Sequence, residues 1–141
     1  MPPPRRFPAR VKWLITVLIL VSATVLIFTQ LPRNIYSTDL STIGQGKPAL
    51  VIIRDVSFVL GAEVMEYVAP LREEWGEALL FLVAHQGYPE GVRLAARLQV
   101  RDGALVLFDG DGLPMQVLHT PRSTQQIREF LREHLPTAAK P

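Results

Sequence analysis

The sequence predicts an α/β domain, a mixed four-stranded sheet with helices on both faces in the order β-α-β-α-β-β-α, preceded by one transmembrane helix. Three observations predict it. Apolar runs at 48–54, 78–84 and 104–109 alternate with stretches of helical periodicity. A tight-turn sequence, Asp109-Gly110-Asp111-Gly112, joins the third run to a fourth at 113–119. Residues 13–32 contain no charged side chain.

That uncharged stretch comes first in the chain. Its 20 residues would span about 30 Å as a helix, the hydrocarbon thickness of a bilayer. Trp13 stands at one end, where amphipathic rings favour the interface. Arg5, Arg6, Arg10 and Lys12 give residues 1–12 a charge of +4. The positive-inside rule then puts this basic N-terminus in the cytoplasm and the body on the periplasmic side. A cleaved signal peptide is the rival reading. Its apolar region would be about 7–15 residues long and end in small residues, whereas Phe28, Gln30 and Leu31 make a poor cleavage site. An uncleaved single-pass anchor in a bacterial cytoplasmic (inner) membrane is the expectation. Residues 33–46, polar with two glycines, read as a linker, with a weak edge-strand signal at 34–40.

The domain expected at 47–135 opens with a buried strand at 48–54, a continuous run rich in β-branched residues. At 61–76, Val64, Met65, Val68, Leu71 and Trp75 fall at helical spacing. Pro70 should kink that helix, because it has no amide to donate and crowds the preceding turn. A second buried strand at 78–84 leads through a loop at 85–90 to a helix at 90–99, with Val92, Leu94, Ala95 and Leu98 on one side. The third strand, the turn and the fourth strand follow, and Pro114 suits the start of an edge strand. A helix at 123–135 closes the domain. Ser123 can cap it, with Gln126 at the reciprocal position, and Ile127, Phe130, Leu131 and Leu135 form its buried stripe. Strands joined through a helix are expected to run parallel, and strands joined by the tight turn antiparallel. Residues 136–141 read as a frayed tail.

Composition removes several functions. There is no cysteine, which eliminates disulfides, thiolate metal sites, iron–sulfur ligation and thiol redox chemistry. Residues 33–141 hold eleven Lys+Arg against thirteen Asp+Glu. The pI near 9.3 therefore reports the N-terminus, and the body lacks the overall basic character of a nucleic-acid binder. Twelve arginines against three lysines, with abundant Ala, Val, Leu and Pro, point to a GC-rich bacterial source.

The order of elements resembles the thioredoxin fold. The stretch GKPALVII at 46–53 looks like the approach to the first core strand of that family, and MEYVAPLREEW at 65–75 like its first long helix, with Pro70 at the kink. The stretch ALVLFDGDG at 104–112 is similar to the family's third strand and hairpin, and STQQIREFLREHL at 123–135 to its last helix. The resemblance covers about 47–135 and implies that the family's Cys-x-x-Cys would fall on 62–65. Ala62 and Met65 occupy the two sulfur positions. The family's cis-proline, which faces those cysteines, is also missing. The corresponding stretch reads Gly103-Ala104, and a trans bond is expected because a cis bond without proline costs about 2.5–4 kcal/mol. Thiol–disulfide exchange needs a thiolate, so the scaffold's remaining use is to hold another polypeptide.

Other chemistries find little support. Ser57 is the hydroxyl nearest the corner between the first strand and its helix, but no G-x-S-x-G elbow surrounds it; it reads as a turn serine bonding local backbone. Glu63 and Glu66 suit a helix N-terminus. Asp109 and Asp111 suit a hairpin rather than a calcium loop. His85, His119 and His134 lack metal-ligand spacing. Arg93, Arg97 and Arg101, at i, i+4 and i+8, form either a docking stripe or a solvated face with ion pairs. The corner at 56–61 carries Val56, Phe58, Val59 and Leu60. These side chains either fold onto the core or dock against a partner, since apolar patches left exposed mark interaction sites. The expected function is that of a non-enzymatic, membrane-anchored accessory or assembly subunit of an integral membrane complex, a respiratory or photosynthetic electron-transfer assembly being one candidate class. The alternative is a redox-dead, client-holding relative of the anchored thiol-disulfide proteins of cytochrome c maturation. No catalytic residue, metal, cofactor, nucleic acid or small-molecule substrate is expected; the partners are the complex and, through the anchor, membrane lipid.

Overall fold

Six consecutive residues of the first strand are excluded from solvent on both faces, apart from the last. This strand, β1 (Ala49–Arg54), is central in a four-stranded sheet of order β2-β1-β3-β4. The other strands are β2 (Leu80–His85), β3 (Leu105–Phe108) and β4 (Pro114–Leu118). The computed structural model describes residues 8–30 and 36–136. Residues 1–7, the last two residues of the uncharged stretch (31–32), the first three of the expected linker (33–35) and residues 137–141 of the expected tail lie outside the described residues. Residues up to Ile35 and those from Tyr36 onward form two separate units.

In the first unit, α1 (Ala9–Gln30) is a helix of 22 residues. Among the described residues no helix is long and apolar enough to cross a membrane. The side chains described for α1 end at Leu26, and the uncharged stretch of sequence continues to Pro32. Trp13, Leu14, Leu18, Ile19, Val21, Val25 and Leu26 are all exposed. The hydroxyls of Thr16, Ser22 and Thr24 donate to the carbonyls of Lys12, Leu18 and Leu20, four residues back.

In the second unit, side chains alternate across the sheet because successive residues of a strand point to opposite faces. Leu50 and Ile52 join Leu105 and Leu107 beneath α2 (Leu60–Trp75) and α4 (Thr124–His134). Ala49, Val51 and Ile53 join Val106 and Phe108 beneath α3 (Pro89–Leu98). Helices therefore cover both faces, as the sequence predicts. β1 and β2 are parallel, with Ala49 opposite Leu80, and β3 and β4 form an antiparallel hairpin.

The expectation of parallel helix-linked strands fails at β3, which runs antiparallel to β1, with Ile52 opposite Leu105. Gln99 takes the left-handed conformation (φ 53°) and ends α3. The following loop returns to the Arg54 end of β1, where Gly103 N–H donates to Ile53 O at 3.0 Å. β3 thus enters the sheet from the end at which β1 leaves it. Gly103 has φ +81°, a turn conformation that suits glycine, and no peptide bond among the described residues is cis. The weak strand signal at 34–40 reduces to a single parallel bridge, Ser37 with Leu82, followed by a short 3₁₀ turn at Leu40–Thr42.

α2 continues through Pro70. A proline frees the carbonyl four residues back and loosens the neighbouring bonds. The carbonyls flanking that position take side-chain donors instead: Tyr36 Oη reaches Met65 O and Thr124 Oγ1 reaches Tyr67 O, both at 2.8 Å. Arg72 lies over the Tyr36 ring at 4.4 Å. Burial raises the Tyr36 pKa above its ordinary value, an effect that Arg72 partly opposes. At α4, Ser123 caps Gln126 N–H as expected, but Gln126 Oε1 accepts from Arg122 N–H rather than from Ser123 N–H.

Candidate functional site

The corner between β1 and α2 is the place where the sequence puts both the lost sulfur positions and the apolar cluster. α2 begins without a cap of its own, since the residue at its N-cap is Val59, which has no side-chain acceptor. The open amides need partners, and Asp102 supplies one from the loop before β3. Its Oδ2 accepts from Gly61 N–H and its Oδ1 from Asp55 N–H, each at 2.8 Å. The carboxylate is buried and sits at the positive end of the helix, where an anion is favoured. Arg54 closes the corner from the other side. Its Nη1 donates to the carbonyls of Asp55 (2.6 Å) and Phe58 (2.7 Å) and lies 4.0 Å from Asp102 Oδ1. A carboxylate held by two amides beside a guanidinium satisfies the requirement that a buried charge be paired and hydrogen-bonded.

Gly61 is required by this closeness. A Cβ there would stand 2.3 Å from Asp102 Oδ1 and 2.8 Å from Arg54 Cδ. Asp55 completes the turn, accepting from Ser57 N–H at 2.9 Å. The expected role of Ser57 is thus corrected in one respect: its amide, rather than its hydroxyl, makes the turn bond.

On this fastened backbone the apolar side chains point outward. Val56 is 65 % exposed, Phe58 59 %, Val59 69 % and Leu60 46 %, so of the two alternatives left by the sequence the core is not where they go. Phe58 and Leu60 border an open groove of about 740 Å³, whose far wall is Val92, Ala96 and Val100. Ala62 and Met65 lie in the first two turns of α2; Ala62 is half-buried, and Met65 packs against the core beneath α2 and α4. The Arg54–Asp102 clamp is absent from the sequence reading. The residues it joins lie 41 and 47 positions apart, and no local pattern announces such a pairing.

The remaining candidates do not assemble into a site. Among the described residues no cluster of His, Asp and Glu has the form of a metal site. His85 Nδ1 meets Gly87 N–H after β2, and His134 Nδ1 meets Phe130 O at the end of α4. Asp109 accepts from Asp111 and Leu113 N–H and closes the hairpin. The arginine stripe is shortened: Arg93 and Arg97 are on α3, but the left-handed Gln99 ends the helix before Arg101. All three are exposed, and none takes part in the ion pairs formed among the described residues.

No protein-family model matches this chain, and no curated protein matches it in sequence. Solved structures match it in fold. The crystal structure of Trxlp from Edwardsiella tarda EIB202 superposes with a TM-score of 0.55 at 15 % identity, over 64 % of this chain and 87 % of that one. At that identity the likeness is one of architecture, and the architecture of the domain is thioredoxin-like.

Proposed function

We propose that the chain is a non-catalytic, membrane-anchored protein of thioredoxin-like fold that works by contact, as an accessory or assembly subunit of an integral membrane complex. The observation that carries this reading is the corner at 56–60, where four apolar side chains are held outward by a buried clamp. Large apolar groups exposed on a fixed backbone cost little ordering entropy when a partner covers them. The chain's lack of cysteine and the internal carboxylate at the head of α2 leave that corner without a redox nucleophile. The anchor is supported by the uncharged stretch 13–32 and by hydroxyls on α1 that bond within the helix, as polar groups in hydrocarbon must. With Arg5, Arg6, Arg10 and Lys12 on the N-terminal side, the domain faces the periplasm.

Purification in mild detergent tests the reading. The chain should co-purify with membrane partners in fixed stoichiometry, and Phe58→Asp should release it while leaving its thermal unfolding nearly unchanged. Recovery of the wild-type chain as a lone monomer from gently solubilised membranes would sink the proposal. The groove beside Phe58 favours client holding as a second reading, in which Phe58→Asp abolishes transient capture of unfolded secreted chains and no stoichiometric partner is found.

A further inference from the structure

The apolar corner and the groove beside it lie on one patch. Val56, Phe58 and Val59 stand exposed on the turn. The groove of about 740 Å³ begins at Phe58 and Leu60 and ends at α3. Val92, Ala95 and Ala96, which line its far side, share one side of that helix. The two alanines are small, so the far wall is low and leaves room for a larger side chain. An exposed aromatic group and an apolar recess thus belong to the same surface.

The charges on the rim match in the same way. Asp55 and Arg101 line the groove and take part in none of the ion pairs among the described residues. Asp102 also lines it, but two amides and the Arg54 guanidinium already hold its carboxylate. The neighbouring charges belong to other concavities. Glu90, Arg93 and Arg97 border a depression with Leu40 and Ile43, and Glu63 borders one with Tyr67 and Arg122. The rim therefore carries one acid and one base outside ion pairs. It has no excess charge to draw a strongly charged partner, and it is complementary to its own copy.

An isologous pair needs that property: the same patch on both subunits, with projection meeting recess and acid meeting base twice. The size agrees. Val56, Phe58, Val59, Leu60 and Val92 are between 46 and 69 % exposed, and together they present roughly 300–400 Å² of apolar side chain. Apolar atoms make up roughly 60 % of an interface, so two copies would bury about 1,000–1,300 Å² in all. That reaches the ~1,000 Å² a specific contact needs, at the low end of the range.

We propose that the corner and its groove bind a second copy of this chain about a two-fold axis. Phe58 of each copy enters the other's groove, and Asp55 of each meets the other's Arg101. This inference rests on the reading of the corner as a contact surface and names its occupant.

Sedimentation of the full chain in mild detergent, over a dilution series, should find two copies per particle, and one for Phe58→Asp. Arg101→Glu sets acid against Asp55 at both symmetric places and should weaken pairing about tenfold. Adding Asp55→Asn should recover most of that loss, because the amide removes the repulsion and keeps an acceptor for Ser57 N–H. The absence of cysteine allows the contact to be mapped. Chains bearing Val56→Cys and Ala96→Cys, both exposed positions, are mixed and treated with a short bifunctional maleimide. Their cross-linked pair should exceed severalfold that of Val56→Cys with Glu73→Cys on α2, also exposed. Two copies retained by Phe58→Asp, pairing indifferent to Arg101→Glu, or cross-linking as strong through position 73 would overturn the assignment. One wild-type copy held by a different protein, and released by Phe58→Asp, overturns the second copy as occupant and leaves the contact reading standing. A lone wild-type chain overturns both.

Discussion

Two turns in this domain are each closed by a carboxylate that accepts two backbone amides, and they differ in where the carboxylate comes from. In the hairpin between β3 and β4, Asp109 bonds Asp111 and Leu113, neighbours within the same turn. At the corner between β1 and α2, Asp102 bonds Asp55 and Gly61 across 47 and 41 residues. The carboxylate of the hairpin bonds only within its own turn, although Gly110 O also accepts from Gly46 N–H at 2.8 Å. The corner is a joint between the first strand, the long helix and the loop before β3, and its carboxylate is buried. A carboxylate bonded within its own turn fixes that turn, whereas the long-range one also sets the position of the side chains carried by the segments it joins. The corner is accordingly the part of the surface where rigid apolar presentation is possible.

The largest expected difference follows from removing each carboxylate. Asp102→Ala leaves the amides of Asp55 and Gly61 without their acceptor and removes the carboxylate beside the Arg54 guanidinium, a loss of about 3 kcal/mol. Asp109→Ala leaves amides that water can reach, a loss of about 1 kcal/mol. Denaturant unfolding of the detergent-solubilised chain measures both. Equal losses would show that burial at the corner adds nothing.

Gly61→Ala comes next. Its new Cβ would fall 2.3 Å from Asp102 Oδ1, so the carboxylate or the helix must shift, at about 2 kcal/mol. The cost should shrink when combined with Asp102→Ala, because the obstructing group is then gone. A double-mutant cycle reads that coupling, and simple additivity would place the strain elsewhere.

A smaller effect separates the corner from the other long-range fastener, Tyr36. Burial raises its pKa above 10.0 and Arg72 works against the rise. The folded state therefore keeps the phenol proton to higher pH than the unfolded state does. The associated stability is fully present below the unfolded value and is lost as pH rises through the folded one. Phenolate also cannot donate to Met65 O. Wild type should exceed Tyr36→Phe by about 1 kcal/mol at neutral pH, and the gap should close in alkaline solution above pH 10.0. A gap constant across that range would remove Tyr36 ionisation from the account.

The same contrast between local and distant partners explains what the sequence makes legible. β1 is an apolar run buried from Ala49 to Ile53. The cap at Ser123, the hairpin at Asp109 and the proline inside α2 are patterns within a few residues, and each is where the spacing puts it. The direction of β3 is not legible, because it depends on a left-handed Gln99, a residue type with no special liking for that conformation. The same residue breaks the arginine stripe that even spacing suggests. Asp102 escapes notice for a further reason: its partners are backbone amides, which have no sequence signature. The exposure of Phe58 follows from that clamp, so it too waits for the three-dimensional arrangement.

The smallest expected change in stability is also the one that distinguishes the two turns by function. Phe58 at the corner is 59 % exposed and Leu113 at the hairpin 64 %. Truncating either to alanine removes apolar surface that is mostly in water already, so each should alter unfolding by less than about 0.5 kcal/mol. If the corner is the contact surface, the two variants must part in membranes: Phe58→Ala loses partner association, because an anchor residue covered by a partner forfeits its buried area, while Leu113→Ala keeps it. Co-purification of both variants with the same partner would return Phe58 to the ordinary class of exposed hydrophobic residues and leave the clamp as architecture alone.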